Sequence, residues 1–501
     1  MKNKKYFHPI WFFIGLIVLT IILSSVLSLI HFQGNEVIIT SSGKTTTSLI
    51  SVKSLLSKSG FKFMFGDVIN NFLKFVPLGT LIIGLMGIGV AIKTGFLKSI
   101  FKKIANVIPR KPAIFIFSLL CIIMGFSSDL AYIIMIPVAS IMFTEYKRSQ
   151  TVGMTMAFVA VTAGANINLF ITSIDYSLIE LAAPAVRLID SDYTYLYNGN
   201  LYFIVVSAIL LSLFLTSMTD IICRNKPVRI GDEELKVREK IDKKGLKKSF
   251  IAFVILLIIF IYSIVPGLPF SGMLLDNSQS LYVNKLFGAN SPFVNSILYI
   301  VSLTFIICGT IYGKVTRQIK DENDIVKNLS SSLNGIGEML ILIFVASQFV
   351  ALFKYTNIGE VITVNLFEII KNGKFSFIVL ILLSFVFVVI SGLTLTSLSA
   401  KWSLFVPGII PLFMKSNITP EYAGAMFRLA SSLSNMITPV LSYFVIYVGF
   451  IGLYNKDDFS VSKCYKLLIP YFIGISILWL FIVIGWYVLK APIGPNIFPT
   501  I

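Results

Sequence analysis

Apolar stretches of about 20 residues recur along the chain, each bounded by basic or turn-forming residues. As helix, that length crosses the roughly 30 Å hydrocarbon core of a bilayer. The pattern predicts uninterrupted spans at 10–31, 72–92, 200–222, 250–265, 291–312, 333–352 and 467–489. Between the first two lie a polar Ser/Thr-rich segment and an amphipathic piece at about 50–70, both expected outside.

Four further segments are apolar but interrupted. Within 112–148, the arms Ala113–Met124 and Tyr132–Phe143 hold 12 residues each, about 18 Å as helix and too short to cross. A small polar centre, Gly125–Ala131, separates them. Arg110 and Lys111 precede the segment and Lys147 and Arg148 follow it, so a re-entrant hairpin opening to the cytoplasm is expected. Segment 151–184 reads as a helix broken at Gly164–Asn168. Segment 375–414 reads as a second hairpin, opening outside, around Ser391–Ala400. Segment 421–450 reads as a helix broken at Ser431–Pro439.

The chain therefore divides into halves, 1–249 and 250–501. One runs span, inner hairpin, broken helix, span, and the other span, outer hairpin, broken helix, span. Opposite entry sides make this an inverted-topology repeat. The expected fold class is an all-α polytopic membrane protein with about nine transmembrane helices plus two re-entrant hairpins. Lys2, Lys4 and Lys5 precede the first span, and the 224–248 loop holds ten Lys/Arg against five Asp/Glu. Both features place the N-terminus and that loop in the cytoplasm.

Composition supports the class: 56% of the 501 residues are hydrophobic and 13% charged, with mean hydropathy +0.87. That is too little charge to cover a soluble surface. The net charge of +18 lies largely in loops bordering spans, so it reports topology rather than nucleic-acid binding. Four scattered cysteines and two histidines offer neither a disulfide framework nor a metal site. With no buried acid–base set or nucleotide motif, an enzyme is not expected, and no cofactor is needed. A channel would show a pore-lining ring or symmetric filter, whereas inverted halves suggest alternating access.

The polar interruptions have two readings. Small and polar residues in a membrane helix permit close packing. Four of them at matching places also free carbonyls and aim helix ends at a site for small ions and carboxylates. Ser127, Ser128, Asn166 and Asn168 offer oxygens for one coupling ion, Na+ or H+. Thr396, Ser397, Ser399, Asn435 and Thr438 offer them for its symmetry mate. Asp129 and Asp175 are the acids at membrane depth. Asp129 alternatively caps the second hairpin arm, and Asp175 alternatively lies solvated near the outer boundary. Arg428 has no acid within a helical turn, so it must find an anion, a carbonyl or water, and either a small acidic solute or an acid from another helix would serve. We expect Arg428 to bind the carboxylate of such a solute, with Asp175 and Asn168 nearby, while Lys401 and Trp402 close over the rest.

At these residues the chain resembles the AbgT family of p-aminobenzoyl-glutamate transporters. The resemblance rests on His8-Pro-Ile-Trp11, on Pro77-Leu-Gly79 with Gly87-Ile-Gly89, and on Ser128-Asp129-x-x-Tyr132 with Pro137. It continues in Asn168-Leu169 with Asp175, Ser399-Ala-Lys-Trp402 with Pro407, and Arg428 followed by Asn435-Met-Ile-Thr-Pro439 and Tyr443. It implies nine spans with two hairpins and a homodimer in the bacterial cell membrane. It also implies ion-driven uptake of p-aminobenzoyl-glutamate or efflux of antimetabolites. Family members usually carry Gly-Asp where this chain has Ala430-Ser431, and Asn where it has Gly392. These departures leave Na+ and H+ both open, and keep a carrier of other amino-acid or dicarboxylate anions as the alternative.

Overall fold

The computed structural model describes residues 8–39, 44–224, 242–288, 290–371, 375–454 and 460–501. The chain is predominantly helical. Seven described helices are long and apolar enough to cross a membrane, and up to nine if two bent pairs each count as one span. Pro9–Leu29 shows why such segments form. Proline opens the helix, the His8 side chain accepts from the Ile10 amide, and only a sixth of its most apolar window is buried within the chain. The apolar remainder is left for lipid. Of the strongly basic 224–248 loop, residues 225–241 lie outside the described residues.

The Ser/Thr-rich segment after the first span corrects the all-helical expectation. Gln33–Ile39 and Thr45–Ser51 pair as an antiparallel hairpin, in which β-branched Val37, Ile38, Ile39, Thr45, Thr46, Thr47 and Ile50 favour extended backbone. This ribbon packs on Ile358–Lys371, a helix the hydropathy pattern did not single out, and Asn365 donates to Gln33 O at 3.1 Å. The basic loop after the second span is also structured. Phe96–Val107 is an amphipathic helix bent 65° from Pro77–Lys93, and Gly95 at φ +72° supplies the left-handed residue between them.

The first hairpin comprises Arg110–Met124, a tip at Gly125–Ser127, and Ser128–Glu145 interrupted by a π turn at Ala131–Met135. Its arms are longer than expected, 15 and 18 residues. Its ends nevertheless meet. Arg110 and Arg148 both pair with Asp220 at the end of Leu201–Arg224, at 2.6 and 3.8 Å, and Tyr146 Oη donates to Ile108 O at 3.0 Å. The segment thus leaves and returns to the same end of that span. The second hairpin comprises Phe377–Gly392, a tip at Leu393–Ser397, and Leu398–Lys415.

The first broken helix consists of Gln150–Gly164 and Ser173–Arg187, so its break extends past Asn168 to Thr172. The second narrows the expected interruption. Pro420–Ile437 is continuous through Ser431–Asn435, and the break is Thr438–Leu441, with a 44° bend before Ser442–Tyr454. The serines stay helical by bonding back to their own turn, as Ser432 Oγ does to Leu429 O at 2.7 Å. Thr438 leaves the helix at φ −78°, ψ 129°, the extended conformation imposed by the following Pro439.

Candidate transport site

Each hairpin tip lies against the break of its own half. A Cβ on Gly125 would fall 2.3 Å from Gly164 C, and one on Gly164 would fall 2.3 Å from Ile122 O. Two glycines therefore let backbone meet backbone at the first tip. Asn168 Nδ2 completes this contact, donating to Ile122 O at 3.3 Å and Ile123 O at 3.1 Å, while its Oδ1 accepts from Leu169 N at 2.8 Å. At the second tip Asn435 Nδ2 donates to Thr396 O at 3.3 Å and Thr438 Oγ1 to Leu393 O at 2.6 Å. Asn435 Oδ1 is buried and has no hydrogen-bond partner among the described residues.

Contacts between the halves cross over. Arg428 Nη1, from the second broken helix, pairs with Asp175 Oδ1, and its Nε donates to Asn166 O at 2.6 Å. Asp175 accepts from Thr172 N and Oγ1 through its other oxygen, at 2.7 and 2.9 Å, closing a capping box that restarts the first broken helix. In return, Tyr443 Oη, beyond the second break, donates to Asp129 Oδ1 at the first tip. Tyr132 stacks on Tyr443 with ring centroids 4.3 Å apart. Asp175 and Asp129 are thus each tied to the opposite half. Asp175 is buried and ion-paired rather than solvated at a boundary.

A cavity of about 160 Å³ opens where Arg428 reaches the first break. Gly164, Asn168, Thr172, Ser173 and Ser177 line it together with Arg428, and Phe126 and Phe287 form an aromatic side. Those two rings stand edge to face at 5.3 Å. Among the described residues Arg428 bonds through Nε and Nη1, which leaves Nη2 as its donor not so engaged. Asn166 Nδ2 is buried and has no partner among the described residues. Donors, hydroxyls and rings suit an anion carrying an aryl or apolar body.

The expected residues separate into groups. Arg428, Asp175, Asn166 and Asn168 come together at the first break. Ser127 is buried at the first tip, with Ser128 and Asp129 opening the next arm. Thr396, Asn435 and Thr438 come together at the second tip. Ser397 is instead the N-cap of the second hairpin's return arm, accepting from Ala400 N at 3.3 Å, and half-buried Ser399 lies one residue into that arm.

Lys401 and Trp402, expected to close over a solute, do not border this cavity. Trp402 is fully buried, donates from Nε1 to Leu178 O at 2.8 Å and packs on Phe427 at 4.6 Å. Lys401 Nζ turns to Ser431 Oγ at 2.6 Å. Both belong to the joint between the hairpin and its neighbours. The aromatic side and the Ser/Thr hydroxyls were not anticipated from sequence. Thr172-x-x-Asp175 was the available signal, because that spacing marks a helix start just past the cavity.

The model of the "AbgT putative transporter family" matches residues 3–501. The p-aminobenzoyl-glutamate transport protein of Escherichia coli K12 is 28% identical over 509 residues, covering 100% of this chain and 96% of that protein. Among solved structures, the YdaH transporter of Alcanivorax borkumensis, described as having an unusual topology, is 27% identical, with 97% of this chain and 100% of that one covered at a TM-score of 0.49. MtrF of Neisseria gonorrhoeae, described as illuminating a class of antimetabolite efflux pumps, is 29% identical, with 99% and 98% covered at the same TM-score.

Proposed function

This chain belongs to the AbgT transporter family, and from that membership we propose a secondary active carrier of small acidic solutes resembling p-aminobenzoyl-glutamate. It works in uptake or in antimetabolite efflux, coupled to a sodium or proton gradient. It acts as a homodimer in a bacterial cell membrane with its N-terminus in the cytoplasm. The observation that carries the substrate class is Arg428, with Nη2 not engaged among the described residues, in a cavity that Phe126 and Phe287 also line. A planar guanidinium matches a carboxylate by parallel hydrogen bonds, and the rings suit a flat aryl body. Asp175 acts as the second anchor of Arg428, fixing the plane of the fork rather than touching the solute. Asn435, with an unpartnered oxygen at the second tip, is the side chain best placed to serve a coupling cation.

The cavity volume supports a second reading. About 160 Å³ is below the roughly 300–1,000 Å³ of sites for drug-sized ligands. A compact dicarboxylate or amino-acid anion fits that space without movement of the hairpins. Counterflow in proteoliposomes distinguishes the readings. Trans p-aminobenzoyl-glutamate accelerates labelled uptake under the first, and a small dicarboxylate does so under the second. No trans-acceleration by any member of an acidic panel contradicts a carrier.

A further inference from the structure

The Lys401 amine is fully buried and, among the described residues, makes one hydrogen bond, to Ser431 Oγ. It forms no ion pair among the described residues. Gly392 bounds it on another side: a Cβ there would stand 2.6 Å from Nζ and 1.9 Å from Ser434 Oγ. Ser431 and Gly392 therefore meet at one amine.

The charged groups around it are otherwise engaged or turned away. On Ser173–Arg187, Asp175 is held by Arg428, and Glu180 and Arg187 are exposed. On Pro420–Ile437, Glu421 accepts from Tyr193 Oη at 2.8 Å and Arg428 faces the first break. Ile358–Lys371 carries half-buried Glu360 and exposed Glu368, and the packed strand carries Glu36, which accepts from Ser48 at 3.3 Å. None of these bonds Lys401, and Phe377–Gly392 has no titratable side chain. The amine is enclosed by neutral groups.

Removing a lysine amine from water disfavours its charged form unless an anion goes with it. Ser431 is a partner that serves both forms. Its lone pair accepts from an ammonium, and its O–H donates to a neutral amine at the same separation. A carboxylate in that place would serve the charged form alone. Lys401 also lies on the return arm of the second hairpin, three residues into the helix from the tip.

Resting on the carrier reading above, we propose that Lys401 is the proton-carrying residue of the transport cycle. Its amine lone pair takes a proton from water when the hairpin is open. It gives that proton to water on the opposite side when the hairpin has moved, and Ser431 holds the amine in between. One proton enters and one leaves per cycle, with no other reactant.

The full chain, reconstituted in proteoliposomes with p-aminobenzoyl-glutamate as probe, separates coupling from carriage. Counterflow without gradients reads the carrier step, and sodium-free accumulation under an imposed pH gradient at clamped potential reads the coupling. Wild type is expected to accumulate probe under the pH gradient. Lys401→Gln and Ser431→Asp are expected to lose about tenfold or more of that accumulation while keeping counterflow near wild type. Ser431→Asp supplies a counter-charge, so it tests the idea even where Lys401→Gln folds poorly. Unchanged pH-driven accumulation in Ser431→Asp overturns the proposal. So does wild-type accumulation under a sodium gradient alone, or loss of counterflow in Ser431→Asp. Absence of wild-type counterflow contradicts the carrier reading instead.

Discussion

The first broken helix stops at Gly164 and leaves Ala165–Thr172 unwound, whereas the second stops at Ile437 and leaves only Thr438–Leu441. The longer break has room for a cavity, into which an arginine from the other half points. The shorter one closes on itself through Asn435, Thr438 and the hairpin carbonyls. Their unpartnered groups differ in kind as well. The first break presents donors, Arg428 Nη2 and Asn166 Nδ2, and the second presents an acceptor, Asn435 Oδ1. Donors attract an anion and acceptors a cation. On the carrier function proposed above, the solute belongs at the first break and the coupling ion at the second.

The sharpest way to break this comparison is to remove the charge that crosses between the halves. Arg428→Ala leaves Asp175 buried without its partner, an expected loss of about 3–5 kcal/mol in stability. Adding Asp175→Asn, which keeps the helix cap, should recover much of it in detergent melts without restoring solute binding. A double variant no more stable than the single one would show that the pair is not what holds the halves.

The tips give the next test. Gly164→Ala drives a methyl into backbone at Ile122 and should cost about 1–3 kcal/mol. Gly392→Ala meets side-chain rather than backbone atoms, Ser434 Oγ and Lys401 Nζ, which can turn aside, and Ser434 Cβ at 2.6 Å, which shifts only with its helix. It should cost less stability and alter coupling instead. Equal melting shifts would erase the distinction between a backbone-packed and a side-chain-packed tip.

Trp402→Phe removes the bond to Leu178 O and leaves that carbonyl buried, for about 1–2 kcal/mol. Solute affinity should not change, since Trp402 lies off the cavity, and a weakened affinity would return it to the binding site. The smallest effect separates the two asparagines. Asn168→Ala loses bonds to two carbonyls and should lower stability by about 1 kcal/mol. Asn435→Ala should melt near wild type while changing the cation dependence of uptake. The opposite pattern would exchange their roles.

Membrane insertion was legible because it depends on composition summed over 20 residues, and the interruptions were legible because Gly, Ser and Asn stand out in an apolar helix. The 33–51 ribbon was missed for the same reason, since a β-branched run such as Thr45-Thr-Thr47 in a polar stretch barely registers in hydropathy. Arg428 and Asp175 were both identifiable as costly charges at depth. Their pairing was not, because 253 positions separate them and only the fold brings them together. Nothing in the sequence around Trp402 names Leu178 O as its partner. The partner of Lys401, Ser431, is likewise a neutral residue 30 positions away.

The division of labour between the breaks is tested most directly by equilibrium binding of p-aminobenzoyl-glutamate to purified, monodisperse protein without any gradient. Arg428→Lys keeps a positive charge but loses the planar fork, and Lys401→Gln removes the charge at the other tip. The account predicts dissociation constants about tenfold or more weaker for Arg428→Lys and close to wild type for Lys401→Gln. Unchanged affinity in Arg428→Lys, or the larger loss in Lys401→Gln, would contradict it.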